Sequence, residues 1–96
     1  MNPLNLNTIK EQILPILKSA HVKRAALFGS YARGDNTENS DLDILVDLPE
    51  NATLIDLVAI KQDIEEELKK KVDVVTYGGI HPRMKDSILK NQFSVL

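Results

Sequence analysis

Two acidic residues and a glycine–serine pair are the parts of this sequence whose types and spacing could do chemistry. Asp41 and Asp43 stand at the head of an alternating apolar segment, and ten residues separate them from Gly29-Ser30. Residues i and i+2 of a strand point to the same face, so the two carboxylates are predicted to lie about 7 Å apart along one side of a sheet. Carboxylate oxygens suit Mg²⁺, and the amides and hydroxyl of a Gly-Ser turn suit phosphate oxygens. Together these residues predict a metal–nucleotide site.

A third acid stands in a later apolar segment. Asp73 is flanked by valines in the run VDVVTY over residues 72–77, which is typical of a buried strand. If that strand lies beside the strand of Asp43, Asp73 can complete the metal site or act as a general base towards an attacking hydroxyl. The alternative is that all three acids are solvated charges at strand ends. Strands are poor in Asp, and paired acids on one sheet face repel each other, so we favour the functional interpretation.

Other polar side chains near these segments each have more than one possible role. Arg33 could contact phosphate, or it could form an ion pair with Asp35 or Glu38, and the sequence leaves both open. Tyr77 could stack on a nucleobase, although a tyrosine at a strand end is more often part of the core. His81 precedes a proline and is interpreted as a surface loop residue rather than a ligand.

The surrounding pattern predicts an α/β (α+β) domain with a mixed three-stranded sheet, with helices on one face and the carboxylates on the other. Apolar residues at helical or alternating spacing define the elements. A short link favours an antiparallel first pair of strands, whereas the long second helix permits a right-handed parallel crossover. The predicted helices cover residues 8–20, 54–70 and 82–91 with one turn at 30–33, and the predicted strands cover 25–28, 41–48 and 72–77.

Local signals set the expected ends of these elements. Thr8 with Glu11 and Thr53 with Asp56 have the spacing of capping boxes, and Pro15 is expected to bend the first helix. Met84, Ile88 and Leu89 are expected to face inward from the last helix. The lysines at 69–71 are interpreted as a solvated helix end, with a phosphate or partner contact as the alternative. The apolar C-terminal residues Phe93, Val95 and Leu96 either close the core or form a contact patch.

Size and composition restrict the class of protein. Ninety-six residues suit one domain over 1–96, and 43% hydrophobic residues support a modest core. The absence of cysteine excludes disulfides and thiolate metal sites and fits a cytoplasmic protein. A net charge of −2 disfavours direct nucleic-acid binding, and no apolar run has the length of a membrane span.

The segment GSYARGDNTENSDLDILV resembles the signature of the polymerase-β-like nucleotidyltransferase superfamily, and in particular its minimal nucleotidyltransferase (MNT) group. VDVVTY, with Asp73, is similar to that group's third acidic strand. The resemblance covers about residues 8–90. It implies that Asp41, Asp43 and Asp73 hold Mg²⁺, with two ions expected, while Gly29 and Ser30, with Arg33 as a candidate, hold the triphosphate of ATP.

The resemblance also implies a reaction and a partner. Proteins of this size in the MNT group are typically paired with a HEPN-domain toxin as MntA-type antitoxins, which transfer AMP from ATP to a tyrosine of that toxin. Because the chain ends soon after its third strand, the acceptor is expected to be gripped by, or to be, another chain. Two other functions stay open: a non-catalytic module that neutralises a partner by covering it, and nucleotidyl transfer to a small molecule or an RNA end.

Overall fold

The computed structural model describes residues 5–96, and residues 1–4, the start of the predicted 1–96 domain, lie outside it. Helices and strands alternate along most of this part of the chain. In chain order the elements are α1 (Leu6–Ser19), β1 (Arg24–Phe28), α2 (Ser30–Arg33), β2 (Leu42–Asp47), α3 (Leu54–Leu68), β3 (Val72–Thr76), a 3-10 turn (Tyr77–Gly79), α4 (Pro82–Lys90) and β4 (Phe93–Ser94).

One mixed sheet with the strand order β3-β2-β1-β4 organises the molecule. β1 pairs antiparallel with β2, and β2 pairs parallel with β3 through the α3 crossover. These pairings and the α/β class are confirmed. The structure adds a fourth strand, β4, antiparallel to β1, which two residues are too few to signal by alternation. Val95 next to it is only 4% exposed, so the C-terminal apolar residues close the core.

The main core lies between one face of the sheet and helices α1 and α3. Leu42, Ile44 and Val46 of β2 point to this side and are fully buried, as their alternation predicts. Ile9, Ile13 and Leu17 of α1 meet them with Ile60 and Ile64 of α3 in the same cluster. Since the alternate residues of β2 must then face the other way, burial of this stripe fixes the direction of Asp43.

Helix α4 lies on the opposite face, which differs from the expectation that the helices share one side. Its Ile88 packs with Phe28 and Leu45 in a second, smaller cluster. Met84 and Leu89, expected to face inward, are 55% and 38% exposed. A nine-residue helix over a sheet face that is partly acidic buries a single apolar residue, and this leaves the carboxylates accessible beside it.

The helix starts were predicted with mixed success. Asp56 Oδ2 accepts a hydrogen bond from the backbone N–H of Thr53 at 2.8 Å, as the second capping box requires. The first capping box was wrong: Asn5 caps α1 by accepting from the Thr8 N–H at 2.8 Å. Asn is as good an N-cap as Thr, and the helix therefore begins two residues earlier than predicted.

No helix between residues 5 and 96 combines the length and the apolar composition needed to cross a membrane.

Candidate active site

The strand register brings the predicted acids together. Asp43 of β2 pairs directly with Asp73 of β3, and on its other side it pairs with Phe28, the last residue of β1. Neighbouring strands lie about 4.8 Å apart, so the two carboxylates emerge side by side on one sheet face. Asp41 precedes β2 and lies at the same end of the sheet.

These acids open into a cleft of about 670 Å³ between the sheet and α4. Its volume lies within the range of small-molecule sites. All six residues that the sequence nominated line it: Gly29, Ser30, Arg33, Asp41, Asp43 and Asp73. The structure shows that these residues share one cleft, and their catalytic and binding roles stay predictions.

The pKa of Asp43 is shifted by its position in the cleft. Its pKa is raised from the ordinary value of 3.8, first because burial removes water from the carboxylate, and then because the carboxylates of Asp73 and Asp41 repel its charge. The guanidinium of Arg33 acts in the opposite direction and lowers this pKa. A site that raises the energy of its own negative charge is prepared for a cation.

Position 29 needs glycine for two reasons: the conformation of the turn and the space that the Asp43 carboxylate occupies beside it. The backbone of Gly29 has φ +72° and ψ −150°, a region occupied essentially by glycine alone. A Cβ placed at this position would overlap Asp43 Oδ2 and lie 3.1 Å from Asp43 Cγ. The sequence predicts that Gly29 and Ser30 hold phosphate, whereas the structure shows that the missing side chain of Gly29 also makes room for Asp43.

Ser30 follows as the first residue of α2, a single helical turn that the sequence predicted correctly. The turn ends at Arg33, whose Nε lies 3.3 Å from Asp35 Oδ2, with both side chains more than half exposed. Of the two ion-pair partners considered for Arg33, Asp35 is therefore the one observed. Since Arg33 also lines the cleft, an incoming phosphate can compete for it with Asp35.

Tyr77 and His81 take structural positions. The Arg24 guanidinium carbon lies 4.3 Å from the centroid of the Tyr77 ring, and Tyr77 packs beside the smaller apolar cluster. His81 caps α4 by accepting a hydrogen bond at Nδ1 from the Arg83 N–H at 3.1 Å, although it also borders the cleft.

Sequence reasoning missed the wall that α4 contributes. Met84 and Ser87 of α4 and Asn91 at its C-terminal cap line the cleft, together with Ile80, whereas Val75 lies on β3 on the same sheet face as Asp73. This side offers apolar surface with a hydroxyl and an amide, a combination that suits a nucleobase or an aromatic acceptor. The spacing of 84, 87 and 91 along one helix face could have indicated a shared surface, but not which side of the sheet it covers.

The donor set fits Mg²⁺ bound together with a nucleotide. Among residues 5–96, no three His, Cys, Asp or Glu side chains are gathered closely enough to hold a metal ion by themselves. Mg²⁺ keeps several waters and is usually bound by one or two carboxylates completed by substrate phosphates. Adjacent carboxylates facing one cleft beside a Gly-Ser turn match that requirement, whereas a closed protein cage is not preformed.

The raised pKa predicts a pH dependence of stability without metal. The folded protein binds a proton at Asp43 more tightly than the unfolded chain does, so the free energy of unfolding falls as pH rises from about 3.8 through the raised pKa. The loss of unfolding free energy caused by ionised Asp43 is complete above the raised pKa and absent below about 3.8. Melting curves of the wild type and Asp43→Asn should therefore coincide at the acidic end and separate as pH rises, the variant melting higher. A constant difference across pH would contradict this.

Comparison with known proteins places this geometry in a family. The family model described as nucleotidyltransferase domain matches residues 10–92. The chain is 53% identical to MJ0435 of Methanocaldococcus jannaschii, named a putative protein adenylyltransferase, over 97% of this chain and all of that protein. It is 33% identical to the protein adenylyltransferase MntA of Thermococcus cleftensis, over 72% of this chain and 70% of that protein.

Solved structures agree on the fold. A structure described as a putative minimal nucleotidyltransferase superposes with a TM-score of 0.82 at 33% identity, covering 97% of this chain and 98% of that one. The MNT antitoxin in complex with a tri-AMPylated HEPN toxin of Shewanella oneidensis superposes at 0.73 over 94% of this chain and 71% of that one, and at 18% identity it supports the fold alone. With the family model covering most of its length, this chain belongs to the nucleotidyltransferase domain family and, within it, to the minimal nucleotidyltransferase group.

Proposed function

We propose that this nucleotidyltransferase transfers AMP from ATP to a hydroxyl of a partner protein, and that it acts as the antitoxin of a HEPN-domain toxin. The observation that carries the proposal is the register that sets Asp43 beside Asp73, with Gly29 packed against Asp43 in the same cleft. The related adenylyltransferases and the antitoxin–toxin complex support the nucleotide, the protein acceptor and the partner.

In this proposal each residue has a defined task. The amides and hydroxyl of Gly29-Ser30 hold the phosphates, and Arg33 leaves Asp35 to join them. Asp41, Asp43 and Asp73 would hold Mg²⁺, which when bound offsets the charge of the phosphates and of the attacking oxygen. The cleft walls exclude part of the surrounding water and orient the nucleotide.

The reaction is an in-line displacement at the α-phosphorus. The acceptor oxygen forms a bond to this phosphorus, the bond from it to the oxygen bridging to the β-phosphate breaks, and pyrophosphate leaves. The acceptor's proton passes to a base, for which Asp73 is the candidate because it is exposed in the cleft beside Asp43. Positioning and charge neutralisation provide most of the acceleration.

The decisive assay uses ATP labelled at either the α- or the γ-phosphate. With Mg²⁺ and the protein encoded by the neighbouring gene, label should pass to that protein from the α-phosphate and not from the γ-phosphate. Asp41→Asn and Asp43→Asn should abolish the labelling, as chelation of divalent cations should. Transfer of the γ-label would instead indicate a kinase and contradict the proposal.

A binding-only antitoxin would behave differently in the same system. If Asp41→Asn and Asp43→Asn still neutralise the toxin at full strength, covering the partner is sufficient and transfer is not its function. Modification of an added small molecule or RNA end, with the protein left unlabelled, would move the chemistry to another acceptor. The cytoplasmic location expected from the sequence stays a prediction.

A further inference from the structure

Lys70 is the one member of the 69–71 lysine run that is drawn into the fold. It is half-buried, whereas Lys69 and Lys71 are exposed. Lys69 has φ +55° and ends α3 in the left-handed conformation, so the chain turns sharply just before Lys70. The sequence predicted a solvated helix end, with a phosphate or partner contact as the alternative, and the structure separates one lysine from its neighbours.

The ammonium of Lys70 contacts two parts of the segment that connects the Gly-Ser turn to the first acid. Its Nζ donates a hydrogen bond to the carbonyl oxygen of Glu38 at 3.1 Å, across 32 positions of sequence. It also lies 5.6 Å from the centroid of the Tyr31 ring, which is 5% exposed and directly follows Ser30. One cation therefore interacts with this segment at Tyr31, next to Ser30, and at Glu38, three residues before Asp41.

The loop over residues 34–41 has few other ties to the rest of the protein. Thr37 and Ser40 bond to each other, and Arg33 to Asp35, so these contacts stay local. Within residues 5–96, the bond from Lys70 is the only side-chain hydrogen bond between this loop and a distant element. Tyr31 is itself part of the main core, so loss of the Lys70 ammonium would leave the 34–41 loop, and not Tyr31, held by local turns alone.

The contacts of Lys70 in the structure are with the Glu38 carbonyl and the Tyr31 ring, so its effect on the reaction is expected to pass through the loop that it holds.

We propose that Lys70 is a positioning residue that holds the 34–41 loop against Tyr31 and the α3–β3 corner, and so keeps Asp41 on the same side of the cleft as Ser30. This inference rests on the proposed transfer reaction. It adds a residue outside the cleft to those that determine its geometry.

The test compares Lys70→Met, which keeps an unbranched apolar chain but loses the ammonium, with Lys69→Met and Lys71→Met. Lys70→Arg keeps a positive charge at this position and can donate a hydrogen bond to the Glu38 carbonyl and lie over Tyr31, so it tests whether a cation there is sufficient. We expect Lys70→Met to lower kcat/KM roughly 10-fold to 100-fold, as loss of an outer positioning contact does. The melting temperature should stay near that of the wild type, Lys70→Arg should recover most of the activity, and both control variants should match the wild type.

Amide exchange gives a readout independent of transfer. The N–H groups of Thr37 and Ser40 are hydrogen-bonded within the loop, so their exchange rates report its order. Exchange should accelerate in Lys70→Met and return towards wild type in Lys70→Arg. Unchanged exchange in Lys70→Met, or equal losses in the Lys69 and Lys71 variants, would overturn the inference. If the wild type transfers nothing, the proposed function fails, while the exchange measurement still decides whether Lys70 orders the loop.

Discussion

Replacing Asp43 by asparagine is expected to abolish nucleotidyl transfer and, at the same time, to raise the melting temperature of the metal-free protein. The carboxylate is half-buried and repelled by Asp73 and Asp41, so an uncharged amide of the same shape removes an unfavourable charge. The same change removes a carboxylate oxygen that the proposed Mg²⁺ site requires. We expect a loss of transfer of about 10²–10³-fold or more and a rise in melting temperature of a few degrees, measured near neutral pH in a chelator.

Asp47→Asn is the matched control. Asp47 lies on the same strand and face as Asp43 but at the other end of β2, where it lies 3.7 Å from the guanidinium Nε of Arg24 with both side chains more than a third exposed. An ion pair so exposed contributes little, so this variant should keep both activity and melting temperature. Transfer surviving in Asp43→Asn, or a lower melting temperature in that variant, would contradict the description of the cleft.

Mutation of Gly29 to alanine is expected to damage both fold and function. The backbone conformation at Gly29 destabilises a residue other than glycine by on the order of 1–3 kcal/mol. The new methyl group would also push Asp43 out of its position. Because a displacement of about 1 Å can cost on the order of 10² in rate, transfer should fall at least to that extent. Urea titration and initial-rate measurements provide the two readouts.

Gly34→Ala separates strain from crowding. Gly34 also has a positive φ, +85°, but a Cβ there meets nothing within 4 Å. This variant should lose about 1–2 kcal/mol of stability through backbone strain alone and keep most of its transfer rate. Equal loss of transfer in the two variants would show that backbone strain, and not contact with Asp43, explains the requirement for glycine at position 29.

The candidate site was largely predictable from the sequence because five of its six residues lie between positions 29 and 43. Alternation along β2 fixes the direction of Asp43. The long α3 crossover places β3, which carries Asp73, parallel to β2 as its neighbour. These are consequences of local pattern and of the rules of chain connection, and they required no knowledge of side-chain packing.

What the sequence did not indicate depends on contacts between distant residues. Met84 and Asn91 face the cleft because Ile88 packs on Leu45, a choice of sheet face that the pattern of α4 does not encode. Lys70 and its neighbours are alike in type, and only the left-handed turn at Lys69 separates them. The space that Gly29 leaves for Asp43 likewise becomes visible only once β1 and β2 are paired.

The most direct test of the shared metal–nucleotide site is a crystal structure with Mn²⁺ and a non-hydrolysable ATP analogue, read by anomalous scattering. We expect Mn²⁺ peaks between the analogue's phosphates and the carboxylates of Asp41, Asp43 and Asp73, with the phosphates against Gly29-Ser30. A nucleotide bound elsewhere, or Mn²⁺ sites that leave Asp43 without a contact, would contradict it.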